Sequence, residues 1–385
     1  MNRRKILQQA AALPLMSVFG KFAAAASAAG TSSGTPFKRC RPGDAAWPSP
    51  ERWAQLNKQV GGQLIAVKSP LEPCRTGAGS AACSTVVKEL KNPYYVGDHP
   101  GLTQTSGWVD AWNSAPSAYA VAAKKTADVV AAVNFARENN LRLAVKGGGH
   151  SYQGTSNAAD ALLVWTRKMD RIMMHDAFVG KGCAGTQAAQ PAVTIESGAT
   201  WMRIYHTVTK AGRYVQGGGC GTVGVAGLIQ SGGFGSFSKR YGMAAAGLIE
   251  AEIVTADGSV RIANACTNPD LWWALRGGGG GSYGVVTRLT LRTRELPQFF
   301  GTAFGAIKAR SDDAFKRLIA RFVAFYDSLF NPHWGESVAF GRDNTMSVSM
   351  VFQGIDQQQA NDTWRPFLDW IKGRRRITRS TSRLR

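Results

Sequence analysis

Lys146-Gly147-Gly148-Gly149-His150-Ser151-Tyr152-Gln153-Gly154 is the stretch on which the reading of this chain turns. It has a counterpart further on, Gly217-Gly218-Gly219-Cys220-Gly221-Thr222-Val223-Gly224-Val225-Ala226-Gly227. Each holds three glycines followed by a reactive side chain, His150 in the first and Cys220 in the second. Without a Cβ in the way, such a backbone approaches a phosphate or a flat ring closely. Imidazole and thiolate are the nucleophiles with which a chain attaches an organic cofactor covalently.

The flanking sequence places both stretches between regular elements. Thr126 reads as the N-cap of a helix with Val129, Val133 and Ala136 at helical spacing, stopped by Asn139-Asn140. Leu141 to Val145 alternates as a strand and runs into the first loop. Leu162 to Trp165 and Val193 to Glu196 read as further strands. Thr200 stands where it caps a helix, Trp201 to Ala211, ended by a left-handed Gly212, and a short strand from Arg213 to Gln216 enters the second loop. Leu248 to Thr255 is a strong strand, turned by Asp257-Gly258 into Val260 to Ala263. Asp270 to Leu275 is a helical turn, and Val285 to Arg292 a last strand. This mixture predicts an α+β fold of two small subdomains whose glycine loops face a shared cleft.

Residues 51–112 look irregular. After residue 297 the pattern gives strands at Phe304–Ile307, Ser337–Phe340 and Met346–Phe352, with helices at Asp312–Phe330 and Gln357–Ile371. The expected layout is therefore a leader at 1–29, a linker and N-terminal segment at 30–106, and a cofactor-binding domain at 107–297. A partial α/β domain with an antiparallel sheet follows at 298–372, and a basic tail at 373–385.

With 385 residues the chain is long enough for two cored domains. Its net charge of +21 is concentrated at the ends. Arg3, Arg4, Lys5 and Lys21 lie in the leader, and Arg374, Arg375, Arg376, Arg379, Arg383 and Arg385 in the tail. Setting these ten aside leaves +11 with no basic stripe interleaved with aromatics, which argues against nucleic acid as the partner. Arg3-Arg4 ahead of a modest apolar run and an alanine-rich stretch reads as a twin-arginine export signal. No later segment has the length of an integral membrane span. Six cysteines in an exported chain can pair, and Cys74 and Cys83 are near enough to close a small loop. Committing Cys220 to a cofactor leaves an odd number, so at least one thiol stays over. The absence of a Cys-x-x-Cys or His-x-x-x-His pair argues against a zinc site. Gly219-x-Gly221-x-x-Gly224 matches a dinucleotide fingerprint. Its context is wrong: the preceding strand is short, a Gly/Ser-rich stretch follows, and Glu250 and Glu252 lie beyond the ribose-binding interval of about 20 residues.

The two loops resemble the flavin loops of the berberine-bridge-enzyme-like FAD-linked oxidases, within the vanillyl-alcohol-oxidase (VAO) superfamily and its PCMH-type FAD domain. Leu271-Trp272-Trp273-Ala274-Leu275-Arg276, with Gly277 to Gly281 and Ser282-Tyr283-Gly284-Val285-Val286-Thr287, resembles a third block of that family. The likeness covers roughly residues 107–295, with the blocks in order. It implies FAD held at two points, His150 on the 8α-methyl carbon and Cys220 on C6. The amides of Gly147, Gly148, Gly149, His150 and Ser151, with Gly154, would cradle the pyrophosphate. Gly219, Thr222, Gly224, Gly227, Ser231, Gly232 and Gly235 would wrap the ribityl chain and ring edge. Tyr241, Gly242 and Ile253 would complete the floor. A compact residue at Val223 implies oxygen access, and so an oxidase that moves hydride from a small alcohol or carbohydrate to the flavin, with dioxygen as acceptor.

The resemblance also implies a closing segment with an Asn-Tyr motif that serves base and flavin, which has no counterpart here. No catalytic residue is therefore assigned, and Arg374 to Arg385 reads as the mark of a truncation or a shifted frame. A flavin-binding chain with impaired turnover and a basic polyanion-binding protein are the alternative readings.

Overall fold

The helix Thr126–Glu138 buries Val129, Val133 and Ala136, as their spacing requires, together with Ala132 and Phe135. It packs on a sheet of four strands in the order Leu64–Ala66, Tyr119–Ala122, Ala161–Trp165, Arg142–Lys146. The first pair is antiparallel and the other two are parallel. Parallel strands need a crossover, and the helix carries the chain from Tyr119–Ala122 to Arg142–Lys146, which lie on either side of Ala161–Trp165. All five residues of Ala161–Trp165 are buried, as in a parallel strand covered on both faces. The helix starts differently from the expectation. Lys125 occupies the N-cap, the Asp128 carboxylate accepts from the amides of Lys124 (2.9 Å) and Lys125 (3.2 Å), and Thr126 instead donates its hydroxyl to Glu252 Oε1 at 2.7 Å.

The computed structural model describes residues 38–335, 337–374, 378–380 and 383–384. The expected export signal lies outside them. Among the described residues no helix is long and apolar enough to cross a membrane. Residues 51–112 are less irregular than they read. Helices occupy Pro50–Gln59, Glu72–Thr76, Ala81–Glu89 and Pro93–Gly97, and Ser49, Ser80 and Asn92 cap three of them with side-chain oxygens. Trp53 of the first helix stacks on Tyr119 at 4.0 Å and reaches Phe135 at 4.8 Å, fastening the segment to the first core.

A second sheet is wholly antiparallel, in the order Val260–Asn264, Leu248–Val254, Val285–Arg292, Gln190–Glu196, Ile172–Phe178. Its core holds Ile195, Ile253 and Leu289 against Trp201, Ile204 and Val208 of the helix Trp201–Lys210, and Val225 and Ile229 of Val225–Gln230. Gly212 follows that helix at φ 68°. The strand after it is only Arg213–Tyr214, paired with Arg294–Glu295. The edge strand Ile172–Phe178 has no strong alternation and was not expected. Disulfides join Cys74 to Cys83 and Cys183 to Cys266.

A third sheet pairs Phe300–Ala309 with Thr345–Gln353, flanked by Trp334–Gly335 and Val338–Phe340. Helices Asp312–Tyr326 and Gln357–Lys372 close one face, where Leu318, Phe322 and Phe367 are buried with Ile307 and Met350. Phe300 and Phe304, each about half exposed, alternate onto the other face. The final residues read as a tail without periodicity, yet Thr378–Ser380 and Arg383–Leu384 both pair with Phe300–Ala309. Their backbone takes a free strand edge, which side-chain periodicity does not report.

Candidate cofactor site

The two glycine loops meet backbone to backbone. A Cβ on Gly148 would lie 2.7 Å from both the Gly224 nitrogen and the Thr222 carbonyl oxygen, so only glycine permits the approach. Gly149 takes φ 80°, turning the chain so that the next residue faces the other loop. The result is that His150 Nε2 is 3.0 Å from Thr222 Oγ1. The same hydroxyl is 3.6 Å from Cys220 Sγ. Thr222 is buried and Cys220 is exposed and outside both disulfides, so one hydroxyl stands between the two nucleophiles singled out in the sequence.

Electrostatics suit the histidine to that role. Burial lowers the His150 pKa, and the Thr222 backbone carbonyl, which favours the protonated ring, opposes this only in part. The ring is therefore kept neutral, the form in which imidazole is a nucleophile. Around the second loop, Tyr205 donates to the Gly218 carbonyl at 2.6 Å and Tyr214 donates to Gln216 Oε1 at 2.6 Å. Burial pushes both phenols well above their ordinary range, so they remain donors.

Comparison with known proteins accords with this geometry. Residues 116–264 match the FAD binding domain family. An FAD-linked oxidoreductase of Malbranchea aurantiaca is 37% identical over 281 residues, 67% of this chain and 48% of that protein. A VAO-type flavoprotein oxidase of Thermothelomyces thermophilus is 30% identical over 360 residues, 88% of this chain and 62% of that protein. The crystal structure of a VAO-type flavoprotein from Myceliophthora thermophila superposes with a TM-score of 0.76 at 30% identity, covering 90% of this chain and 65% of that one. The chain carries an FAD binding domain and has the fold of the VAO-type flavoproteins. It spans 48% to 62% of the length of these two sequence relatives.

The residues of this VAO-type site fit FAD. Among the described residues, the amides of Gly147, Gly148, Gly149 and His150 donate to no protein acceptor, although Gly148 and Gly149 are buried. Buried amides need acceptors, and a run of them at a turn is an anion-binding concavity. Ser197 and Thr200, 1% and 2% exposed, also leave their hydroxyls without a partner. They flank the junction: the Ser197 carbonyl oxygen is 3.4 Å from where a Gly147 Cβ would stand, and Thr200 bridges to Gly224. Thr200 thus occupies its expected N-cap position without using its hydroxyl there.

The other expected residues fall into four groups. Ser151 and Gly154 continue the first loop; Ser151 Oγ accepts from Gln153 N and Thr155 N at 3.2 Å each, and Gly154 packs on the Trp112 ring. Gly235 lies against the Gly217 carbonyl and its amide donates to Ser238 Oγ at 3.0 Å. Val223 is half-buried beside Cys220, Gly219 and Gly227 are exposed, and Ser231 and Gly232 end the short helix after Gly224. Tyr241 and Gly242 lie farther along: the Tyr241 ring is 5.0 Å from Tyr214 and 4.8 Å from the Arg294 guanidinium. Ile253 is wholly buried in the second core, its side chain among apolar neighbours. The dinucleotide reading of Gly219-Gly224 gains a short helix, Val225–Gln230, but the downstream acids are used elsewhere. Glu250 accepts from Lys181 N and Asn264 Nδ2, and Glu252 from Thr126, Thr287 and Arg288.

Sequence reasoning missed Lys146, Ser197 and Thr200 as site residues. A lysine buried to 2% exposure before a glycine loop carries no mark in the sequence. Burial pulls its pKa down to about 7, while the three backbone carbonyls within 2.9 Å favour the ammonium.

Proposed function

We propose that this chain is an FAD-dependent oxidase that takes hydride from a small alcohol or carbohydrate, with FAD attached through His150 and Cys220 and dioxygen as the final acceptor. The observation that carries the reading is the single hydroxyl of Thr222 lying between the imidazole and the thiol. Bound there, FAD would supply the hydride acceptor and its reoxidation by dioxygen. The chain's own residues do the holding. Gly147 to His150 present free amides to the pyrophosphate, and the neutral His150 ring presents a lone pair to the cofactor. Thr222 fixes the orientation of that ring, and attachment on two edges restrains the flavin against rotation. The compact Val223 beside Cys220 supports access for oxygen. Two disulfides among the described residues support passage to an oxidising compartment, in keeping with the twin-arginine leader.

The acceptor is testable without knowing the substrate. Flavin on the purified protein is reduced photochemically under argon and then mixed with air-saturated buffer. The oxidase reading predicts reoxidation within seconds, with one hydrogen peroxide formed per flavin. Reoxidation over many minutes, with rapid turnover by a quinone or dye instead, contradicts it and makes the protein a dehydrogenase.

A further inference from the structure

Lys146 ends the strand Arg142–Lys146, and its side chain runs beneath the loop it introduces. Its Nζ donates to the backbone carbonyls of Pro100 at 2.7 Å, His99 at 2.9 Å and Leu102 at 2.9 Å. An ammonium has three hydrogens, and these three acceptors use them all. The carbonyls belong to a strap, residues 98–104, tied independently by Arg167 to Asp98 at 2.8 Å and by Asn157 Nδ2 to the Pro100 carbonyl at 3.2 Å. The far end of the strap reaches the glycine loop, where the Gln104 amide donates to the Gly149 carbonyl at 2.9 Å. A Cβ on Gly149 would lie 3.5 Å from both Lys146 Cδ and Thr103 Cα, so the lysine stem, the strap and the turn are in mutual contact.

We propose that Lys146 is a positioning residue for the attachment at His150: its ammonium fixes the strap, the strap holds the Gly149 carbonyl, and the turn at Gly149 aims the next side chain at Thr222. This rests on the reading of His150 as an attachment point. Among the described residues, no hydrogen bond joins the strap to the loop of Cys220. The two attachments therefore depend on Lys146 unequally. Lys146→Met keeps the stem and removes the donors.

The test compares wild type with Lys146→Met in two ways: hydrogen exchange of the flavin-free protein, and mass spectrometry of the His150 and Cys220 peptides after loading with FAD. Exchange at 99–104 and 147–154 is expected to accelerate about tenfold, with the strand Phe300–Ala309 unchanged. Flavin on His150 is expected to fall about tenfold, while flavin on Cys220 stays within about twofold, as an opening free energy confined to one loop requires. Unchanged exchange at 147–154, or equal loss at both attachments, overturns the proposal. A wild type with no flavin on either residue sinks the attachment reading instead, and the exchange result then decides the positioning claim alone. If Lys146→Met does not fold, Gln104→Pro removes the strap's donor to Gly149, and Gln104→Ala, which keeps that amide and loses only the side-chain bond to the Pro93 carbonyl, is its control. The proline variant is expected to give the same split, and undiminished flavin on His150 overturns the proposal.

Discussion

Thr222 is the residue through which the two candidate attachment points are coupled, and its hydroxyl is the part that matters. Thr222→Val keeps the shape and removes the polar contact at 3.0 Å from His150. It is expected to lower flavin on His150 several-fold, and Thr222→Ser to restore it; peptide mass spectrometry reads both. The depressed pKa of His150 gives a second prediction. Unfolded, the ring takes up a proton near its ordinary 6.5; folded, burial holds it neutral to lower pH. The unfolded state therefore binds more protons between the depressed folded value and 6.5, so stability is lost as pH falls through that window and is complete above it. Thermal melts of the flavin-free protein are expected to fall more steeply below pH 6.5 for wild type than for His150→Gln. Parallel curves would remove the buried-imidazole argument. His150 and Cys220 were legible because each follows a glycine triplet. Thr222 as their bridge was not, since its bond to His150 spans 72 positions and exists only once the loops fold together.

Elements were legible where they are long and rich in apolar residues. The helix Thr126–Glu138 and the strands Leu248–Val254 and Val285–Arg292 show their apolar residues in the sequence, and the structure moves their ends by at most one residue. The helices between residues 50 and 97 were not legible, because five to ten residues hold too few turns for a periodic pattern. Their signals were the caps, Ser49 ahead of Pro50 above all. At this scale the contact between the loops is the feature to test. Gly148→Ala puts a methyl group 2.7 Å from two backbone atoms that have no side-chain freedom to yield. It is expected to destabilise the fold by about 1–3 kcal/mol in urea titrations and to abolish flavin retention. Loss of the Cys183–Cys266 bond, which spans 83 positions, is expected to lower stability by about 4 kcal/mol, measured on Cys183→Ala/Cys266→Ala.

At the scale of the molecule, two sheets bring the glycine loops together and a third stands beyond them. The first sheet ends in the loop of His150. The second carries the helix Trp201–Lys210, whose Trp201 and Met202 amides donate to the Val223 and Gly221 carbonyls of the other loop. The third sheet reaches the second loop region at Gly335, which packs against Ser236. The α+β layout was readable from order and spacing alone. The strands Thr378–Ser380 and Arg383–Leu384 were not, because an arginine-, serine- and threonine-rich run has no apolar face to declare. One cofactor gripped from two loops stays with the polypeptide on unfolding, which intact-mass and peptide mass spectrometry of acid-denatured, FAD-loaded protein would read out. One FAD per chain is expected to survive denaturation, with a single cross-linked species containing the peptides of both His150 and Cys220. An unmodified polypeptide mass, with all FAD released to the supernatant, would contradict it.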